Sequence, residues 1–190
     1  MLEEIERYAY ENKVPIMMKD GIEYLCNYIS EHKIKRILEI GSAIGYSAIK
    51  MALVSEDIKI TTIEKDVERY NIAVDNINKF DLSDRIDIIL GDALEVEIDG
   101  EYDLIFIDAS KGNNINFFNK YSANLKSYGI IITDNLLFHG LVRDESLIKT
   151  KNQWGIVRKI KQFIEFLDNN LEFETEYVDL GDGIAISRRK

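Results

Sequence analysis

Cysteine and proline are nearly missing from this chain of 190 residues, where Cys26 and Pro15 stand alone. A lone cysteine closes no intrachain disulfide, so a hydrophobic core must hold the fold and a reducing compartment is the expected setting. Histidine is almost as scarce. His32 and His139 belong to no spacing that binds zinc or builds a Ser-His-Asp arrangement, and each reads as structural or surface. No apolar run approaches the roughly 20 residues that a membrane-spanning helix needs. The opening MLEEIERYAYEN is acidic where a secretory signal would be basic and then apolar. These absences lead to the expectation of a cytoplasmic protein with no membrane partner. Lys and Arg number 24 against 34 Asp and Glu, a formal net charge of −10. That balance argues against wholesale coating of nucleic acid and leaves room for a local basic patch. Repeats, low-complexity tracts and linkers are absent too, and the length suits one domain over residues 1–190.

What the chain does contain is an alternation of strand-length apolar runs with segments of helical period, the pattern of a parallel sheet covered by helices. RILEIG (36–41), KITTIE (59–64), IDIILGD (86–92), YDLIFID (102–108) and GIIITDN (129–135) are the strand candidates. FETEYVD and GIAISRR flank Gly181-Asp182-Gly183, a turn signal that predicts an antiparallel hairpin. Val67, Tyr70, Ala73, Val74, Ile77 and Phe80 recur at steps of three and four, as do Trp154, Val157, Ile160, Phe163, Ile164 and Leu167, so each set predicts a buried helix face. Pro15 separates a leading helix near 2–11 from a second near 21–31, so residues 1–20 read as a helix and an approach segment. Residues 136–152 carry the least pattern and read as a long loop of the functional kind. The expected architecture is α/β: a doubly wound, mostly parallel sheet of seven strands ending in that hairpin.

In such sheets ligands bind beyond the carboxyl ends of the strands. Five successive strands stop at Gly41, Glu64, Asp92, Asp108 and the pair Asp134-Asn135. A lone Asp after a strand is commonly a cap or a turn residue, but five in series describe a lined crevice. At the first crossing, EIGSAIGYSAI, Gly41 ends the strand and Gly45 opens a helix, where backbone N–H groups can face a ligand. Glu64, at the end of the second strand, can accept both hydroxyls of a ribose. The glycine pattern lacks the middle glycine that admits a pyrophosphate, so a nucleoside cofactor without phosphates fits better than a dinucleotide. The run GIIITDN poses its own question, because polar side chains ending a core-like strand need a partner.

LEIGSAIGYSAIKMA, TTIEKD, GDA, DLIFIDASK and IIITDN, in this order and spacing, resemble the metal-dependent O-methyltransferases that use S-adenosylmethionine and include catechol and caffeoyl-CoA O-methyltransferase. With YAYENKVPIM, the sequence most resembles the bacterial branch that contains the tRNA 5-hydroxyuridine methyltransferase. The resemblance implies that Gly41, Ser42, Gly45 and Ser47 surround the methionine part of the cofactor, with Met17 closing over it and Glu39 bracing from behind. It implies that Glu64 holds the ribose, that Asp92 and Ala93 border the adenine, and that Asp108, Asp134 and Asn135 ligate Mg²⁺ or another divalent cation. Lys111 would take the acceptor's proton or stabilise its oxyanion, with Asp108 beside it. The implied acceptor is 5-hydroxyuridine in tRNA, or else a small catechol-like molecule, and the implied assembly is a homodimer. Relatives of this branch usually carry more helix upstream of YAYEN than this chain does, which bears on dimer contacts and on any substrate wall from that segment.

Two other classes compete: a nicotinamide-dependent oxidoreductase, which the missing G-x-G-x-x-G disfavours, and a cofactor-binding regulator without catalysis, which has no need of Asp108, Lys111, Asp134 and Asn135. Cys26 reads as a small buried hydrophobe. Trp154 reads as core, and His139 as a loop residue able to touch substrate. Between Arg143 and Lys161, six cationic residues stand against Asp144 and Glu145. Such a run is commonly a solvated face, yet its place after the metal pair makes Arg143, Lys149 and Lys151 candidates for holding an RNA backbone.

Overall fold

Seven strands and six helices alternate in the computed structural model, which describes residues 1–190. The strands are β1 (Arg36–Ile40), β2 (Lys59–Glu64), β3 (Ile86–Leu90), β4 (Tyr102–Ile107), β5 (Leu125–Thr133), β6 (Phe173–Val178) and β7 (Ile184–Arg189). The helices are α1 (Leu2–Glu11), α2 (Lys19–Glu31), α3 (Tyr46–Ala52), α4 (Val67–Lys79), α5 (Asn114–Tyr121) and α6 (Lys151–Asp168). All strands join one sheet of order β3-β2-β1-β4-β5-β7-β6, parallel except for β7, which runs antiparallel to both β5 and β6. The doubly wound, mostly parallel seven-stranded sheet and its C-terminal hairpin are therefore present as expected.

Two apolar layers sandwich the sheet, and strand periodicity sorts residues between them. Ile37, Leu104, Phe106, Ile130 and Ile132 face the layer built with α1 to α4. Their alternates Leu38, Ile105, Ile107 and Ile131 face α5 and α6, where Phe118 packs edge-on to Phe163 and Phe173. Burial on both faces explains why β1 and β4 read as near-continuous apolar runs. The edge strand β6 instead alternates buried Phe173 with exposed Glu174 and Glu176, a charged edge that discourages further pairing.

Helix periodicity misassigned two side chains. Val67 is 58 % exposed, because it opens α4 directly after the capping Asp66 while the buried stripe runs through Ala73, Asn76 and Ile77. Trp154, expected in the core, is 48 % exposed: α6 buries Val157, Ile160, Phe163 and Leu167, and Trp154 in its first turn faces a surface groove. Cys26 is half-buried on α2, with its thiol pushed up to about 11 by burial. No helix is long and apolar enough to cross a membrane.

Candidate active site

Strand register sets the site. Ile40 pairs with Ile63 and with Ile107, and Ile107 pairs with Thr133, so the residues that follow, Gly41, Glu64, Asp108 and Asp134, come out in one row. The row straddles β1 and β4, where the strand order reverses, which is where an open α/β sheet leaves a crevice. A cavity of about 470 Å³ opens there. Met17, Gly41, Ser42, Ser47, Glu64, Asp92, Ala93, Asp108, Lys111 and Asn135 line it.

At the β1–β2 end the polar groups are already arranged. Glu64 accepts the N–H of Ala43 (2.8 Å) on one oxygen and that of Asp66 (2.9 Å) on the other, which fixes its carboxylate and leaves each oxygen free to accept one more bond. Behind it the buried Glu39 accepts the hydroxyls of Ser47 and Thr62, each at 2.5 Å. Burial raises the Glu39 carboxyl to about 7, and these two hydroxyls hold it down in part. Gly41 has φ +96°, and a Cβ there would meet the Asp108 carbonyl oxygen at 2.5 Å, so only glycine lets β1 end this close to β4.

The glycines act differently from expectation. The N–H groups of Gly41 and Ser42 donate to the Ile63 carbonyl and that of Gly45 to the Ser42 carbonyl, so they are consumed inside the protein rather than facing a ligand. Gly45 packs against Ala73 of α4. What this turn offers a ligand is the Ser42 hydroxyl, buried with no hydrogen-bond partner. Asp92 does serve as a turn residue, accepting the Leu94 N–H at 2.9 Å, while also lining the cavity.

The β4–β5 end is unbalanced. Asp134 is 4 % exposed, and its Oδ1 has no partner. Burial raises the Asp134 carboxyl, and the Asp108 charge raises it further. Asp108 is raised by burial too, and Lys111 partly relieves both. Lys111 donates from its ammonium to Asn135 Oδ1 and lies 5.9 Å from the Phe138 ring centroid. A buried acceptor without a donor, beside a second carboxylate and an amide oxygen, fits a hard divalent cation, since two Asp and one Asn supply oxygen ligands and leave room for water and substrate. No group of three His, Cys, Asp or Glu side chains gathers closely enough to hold an ion, so any such donor set would include the amide oxygen of Asn135.

Five predicted residues are not in the cavity wall: Gly45 packs against Ala73, Asp134 is buried behind the wall beside Asn135, and three lie on the surface. Arg143 pairs with Asp179 at 2.9 Å, Lys149 is exposed, and Lys151 lines a separate surface groove with Trp154 and Arg158. Lys161 is taken up by Glu145. Conversely, Phe138, Arg69 and Ile156 line the cavity without having been singled out from sequence, and the turn residue Asp182 lies near enough to raise both Asp108 and Asp134. Its signal was topological: an Asp between two glycines, at the start of a strand that pairs with β5, must emerge beside Asp134.

A family model described as O-methyltransferase matches residues 1–190. The chain belongs to the O-methyltransferase family. It is an S-adenosylmethionine-dependent methyltransferase of the caffeoyl-CoA O-methyltransferase type. The caffeoyl-CoA O-methyltransferase of Populus kitakamiensis is 32 % identical, over 97 % of this chain and 82 % of its own length. That of Stellaria longipes is 34 % identical, over 83 % and 69 %. Among solved structures, a Staphylococcus aureus protein provisionally named caffeoyl-CoA O-methyltransferase is 36 % identical, with TM-score 0.94 over 100 % of this chain and 92 % of that one. A Bacillus cereus O-methyltransferase solved in complex with SAH is 26 % identical, with TM-score 0.83 over 100 % and 90 %.

Proposed function

We propose that this methyltransferase acts with a divalent cation, Mg²⁺ by the oxygen-only donor set, held by Asp108, Asp134 and Asn135, and methylates a hydroxyl that has a second oxygen beside it. The observation that carries the metal is the buried Asp134 Oδ1 without a donor, next to Asp108. When bound, such an ion lowers the pKa of the acceptor hydroxyl and fixes two adjacent oxygens. The chain's own residues do the rest. Glu64 holds the ribose of S-adenosylmethionine, the free Ser42 hydroxyl and Met17 meet its methionine part, and Asp92 and Ala93 border the adenine. The acceptor oxygen displaces the methyl group from the sulfonium in one step, so the cavity contributes mainly by aligning donor and acceptor. Lys111, which donates to Asn135 beside this donor set, holds the oxyanion as its ammonium, or takes the hydroxyl proton once it has given up its own to water.

For the acceptor we infer 5-hydroxyuridine in tRNA, methylated to 5-methoxyuridine, because its 5-hydroxyl and 4-carbonyl are the adjacent oxygens this arrangement calls for. Support comes from α6. The half-exposed Trp154 lies in a groove with Lys151, Arg158 and Lys161, while Ile156 from the same turns lines the main cavity. An aromatic face beside cations on a surface groove suits a splayed-out RNA strand. Arg143, held by Asp179, is not counted in this surface. The second reading is a small catechol-type acceptor, favoured by the likeness to caffeoyl-CoA enzymes and by the pairing of Lys161 with Glu145. Methylation assays on tRNA lacking 5-methoxyuridine and on catechols, with and without Mg²⁺, separate the two. The expected result is Mg²⁺-dependent tRNA methylation that weakens as salt rises and is impaired by Trp154→Ala and by the combined Lys149→Glu, Lys151→Glu and Arg158→Glu changes. Efficient turnover of catechols with tRNA ignored would establish the small-molecule reading instead.

A further inference from the structure

We infer that Asp182 is a positioning residue of the cation site: from the β6–β7 turn it holds the segment that carries Asn135 and Phe138, and it supplies a third buried carboxylate to the field there. This rests on the metal reading above. The segment after β5 is unusual, with positive φ at three non-glycine residues, Asn135 (68°), Phe138 (47°) and His139 (55°). Such backbone persists only where its surroundings over-determine it. Here the surroundings are the turn. Leu136 N–H donates to the Gly183 carbonyl (3.0 Å), Leu137 N–H to the Asp182 carbonyl (2.7 Å), and His139 N–H to Asp182 Oδ1 (2.5 Å). Gly183 has φ +84°, and a Cβ there would come within 2.6 Å of the Leu137 side chain and 3.2 Å of its backbone nitrogen, so only glycine lets the two loops pack this closely. The turn is braced from the far side too, since Asp20 of α2 accepts the Gly181 N–H at 3.1 Å.

Charge gives the second strand of the case. Asp182 is 4 % exposed, yet no Lys or Arg lies within 4.0 Å, and the nearest basic side chain is the 76 % exposed His139 ring at 4.0 Å. A buried carboxylate with no Lys or Arg partner adds negative charge to the site, which suits a bound cation. Its negative charge is felt at both Asp108 and Asp134. With Oδ1 committed to His139 N–H, Asp182 acts through the loop and the field rather than as a ligand, in the manner of residues that orient metal ligands from behind.

The test titrates Mn²⁺ into the chelator-treated protein with S-adenosylhomocysteine present, following loss of the free-ion paramagnetic resonance signal. Cofactor affinity and melting temperature are measured on the same samples. Asp182→Ala is expected to weaken Mn²⁺ binding about 10- to 100-fold and leave cofactor affinity within about twofold. Asp182→Asn, which keeps an acceptor for His139 N–H, is expected to show a smaller but measurable loss. In turnover the KM for metal rises, and kcat recovers at saturating metal. Wild-type binding matched by both variants overturns the positioning role and leaves the metal reading standing. A wild type that binds no Mn²⁺ overturns both. Parallel loss of cofactor and metal affinity overturns it as well, since it would mark a general structural role. If the alanine variant does not fold, an asparagine variant equal to wild type is sufficient to overturn it.

Discussion

At the β1–β2 end of the cavity Glu64 has a backbone N–H on each oxygen and Glu39 a hydroxyl on each, whereas at the β4–β5 end Asp134 keeps an oxygen with no donor and faces Asp108. Both ends bury carboxylates on the same row of the same sheet. The first satisfies them from within and presents a finished surface to a neutral group with hydroxyls. The second leaves them frustrated, since the Asn135 backbone N–H and the Lys111 ammonium relieve them only in part, an imbalance that a bound cation would settle. Pre-organisation and deliberate incompleteness thus sit side by side, and each predicts a different response to mutation.

The largest effect should come from the incomplete end. Asp134→Ala or Asp108→Ala is expected to abolish metal-supported turnover, a loss of at least about a thousandfold, while circular dichroism shows a retained fold; EDTA should do the same to wild type. Full activity in excess chelator would remove the distinction between the two ends. Next comes Lys111→Ala, with turnover lowered about 100-fold by an amount that shrinks as the acceptor hydroxyl becomes more acidic. A loss that ignores acceptor acidity would assign Lys111 to positioning alone.

At the finished end, Glu64→Ala should weaken S-adenosylmethionine binding about tenfold or more by calorimetry, because it removes charge-assisted bonds to the ribose. Metal affinity should change little, and a matching loss of metal would mean that the ends are one unit.

The smallest effect concerns pH. Burial and mutual repulsion raise the Asp134 carboxyl toward about 8 in the metal-free protein. The native state therefore binds more protons than the unfolded chain between the ordinary carboxylate range and that value, and the contribution to stability falls as pH rises across this window. Asp134→Asn should melt at or above wild type, by a margin of a few degrees that widens from pH 5 to pH 8. Saturating Mg²⁺ should erase the wild-type decline. A margin independent of pH would show that the repulsion is not there.

Much of the finished end could be read from sequence, because local signals set it: an apolar strand stopped by Gly41, an acid at the end of the next strand, a helix opening behind Gly45. The row of strand ends was legible for the same reason, since parallel β1, β2, β4 and β5 each announce themselves as apolar runs. What escaped depended on tertiary placement. Whether the N–H groups after β1 face a ligand or the Ile63 carbonyl is decided by the neighbouring strand. Trp154 kept helical spacing, yet its turn of α6 opens onto a surface groove and leaves it half-exposed. Asp182 looked like a hairpin residue and is one, but the sheet order sets that hairpin against β5 and so against Asp134.

The most direct measurement is a crystal of the protein grown with S-adenosylhomocysteine and Mn²⁺ and read by anomalous scattering. The account predicts one peak bounded by Asp108, Asp134 and Asn135, with Asn135 Oδ1 turned from the Lys111 ammonium to the ion. An empty site with Lys111 still on Asn135, or a peak elsewhere in the molecule, would contradict it.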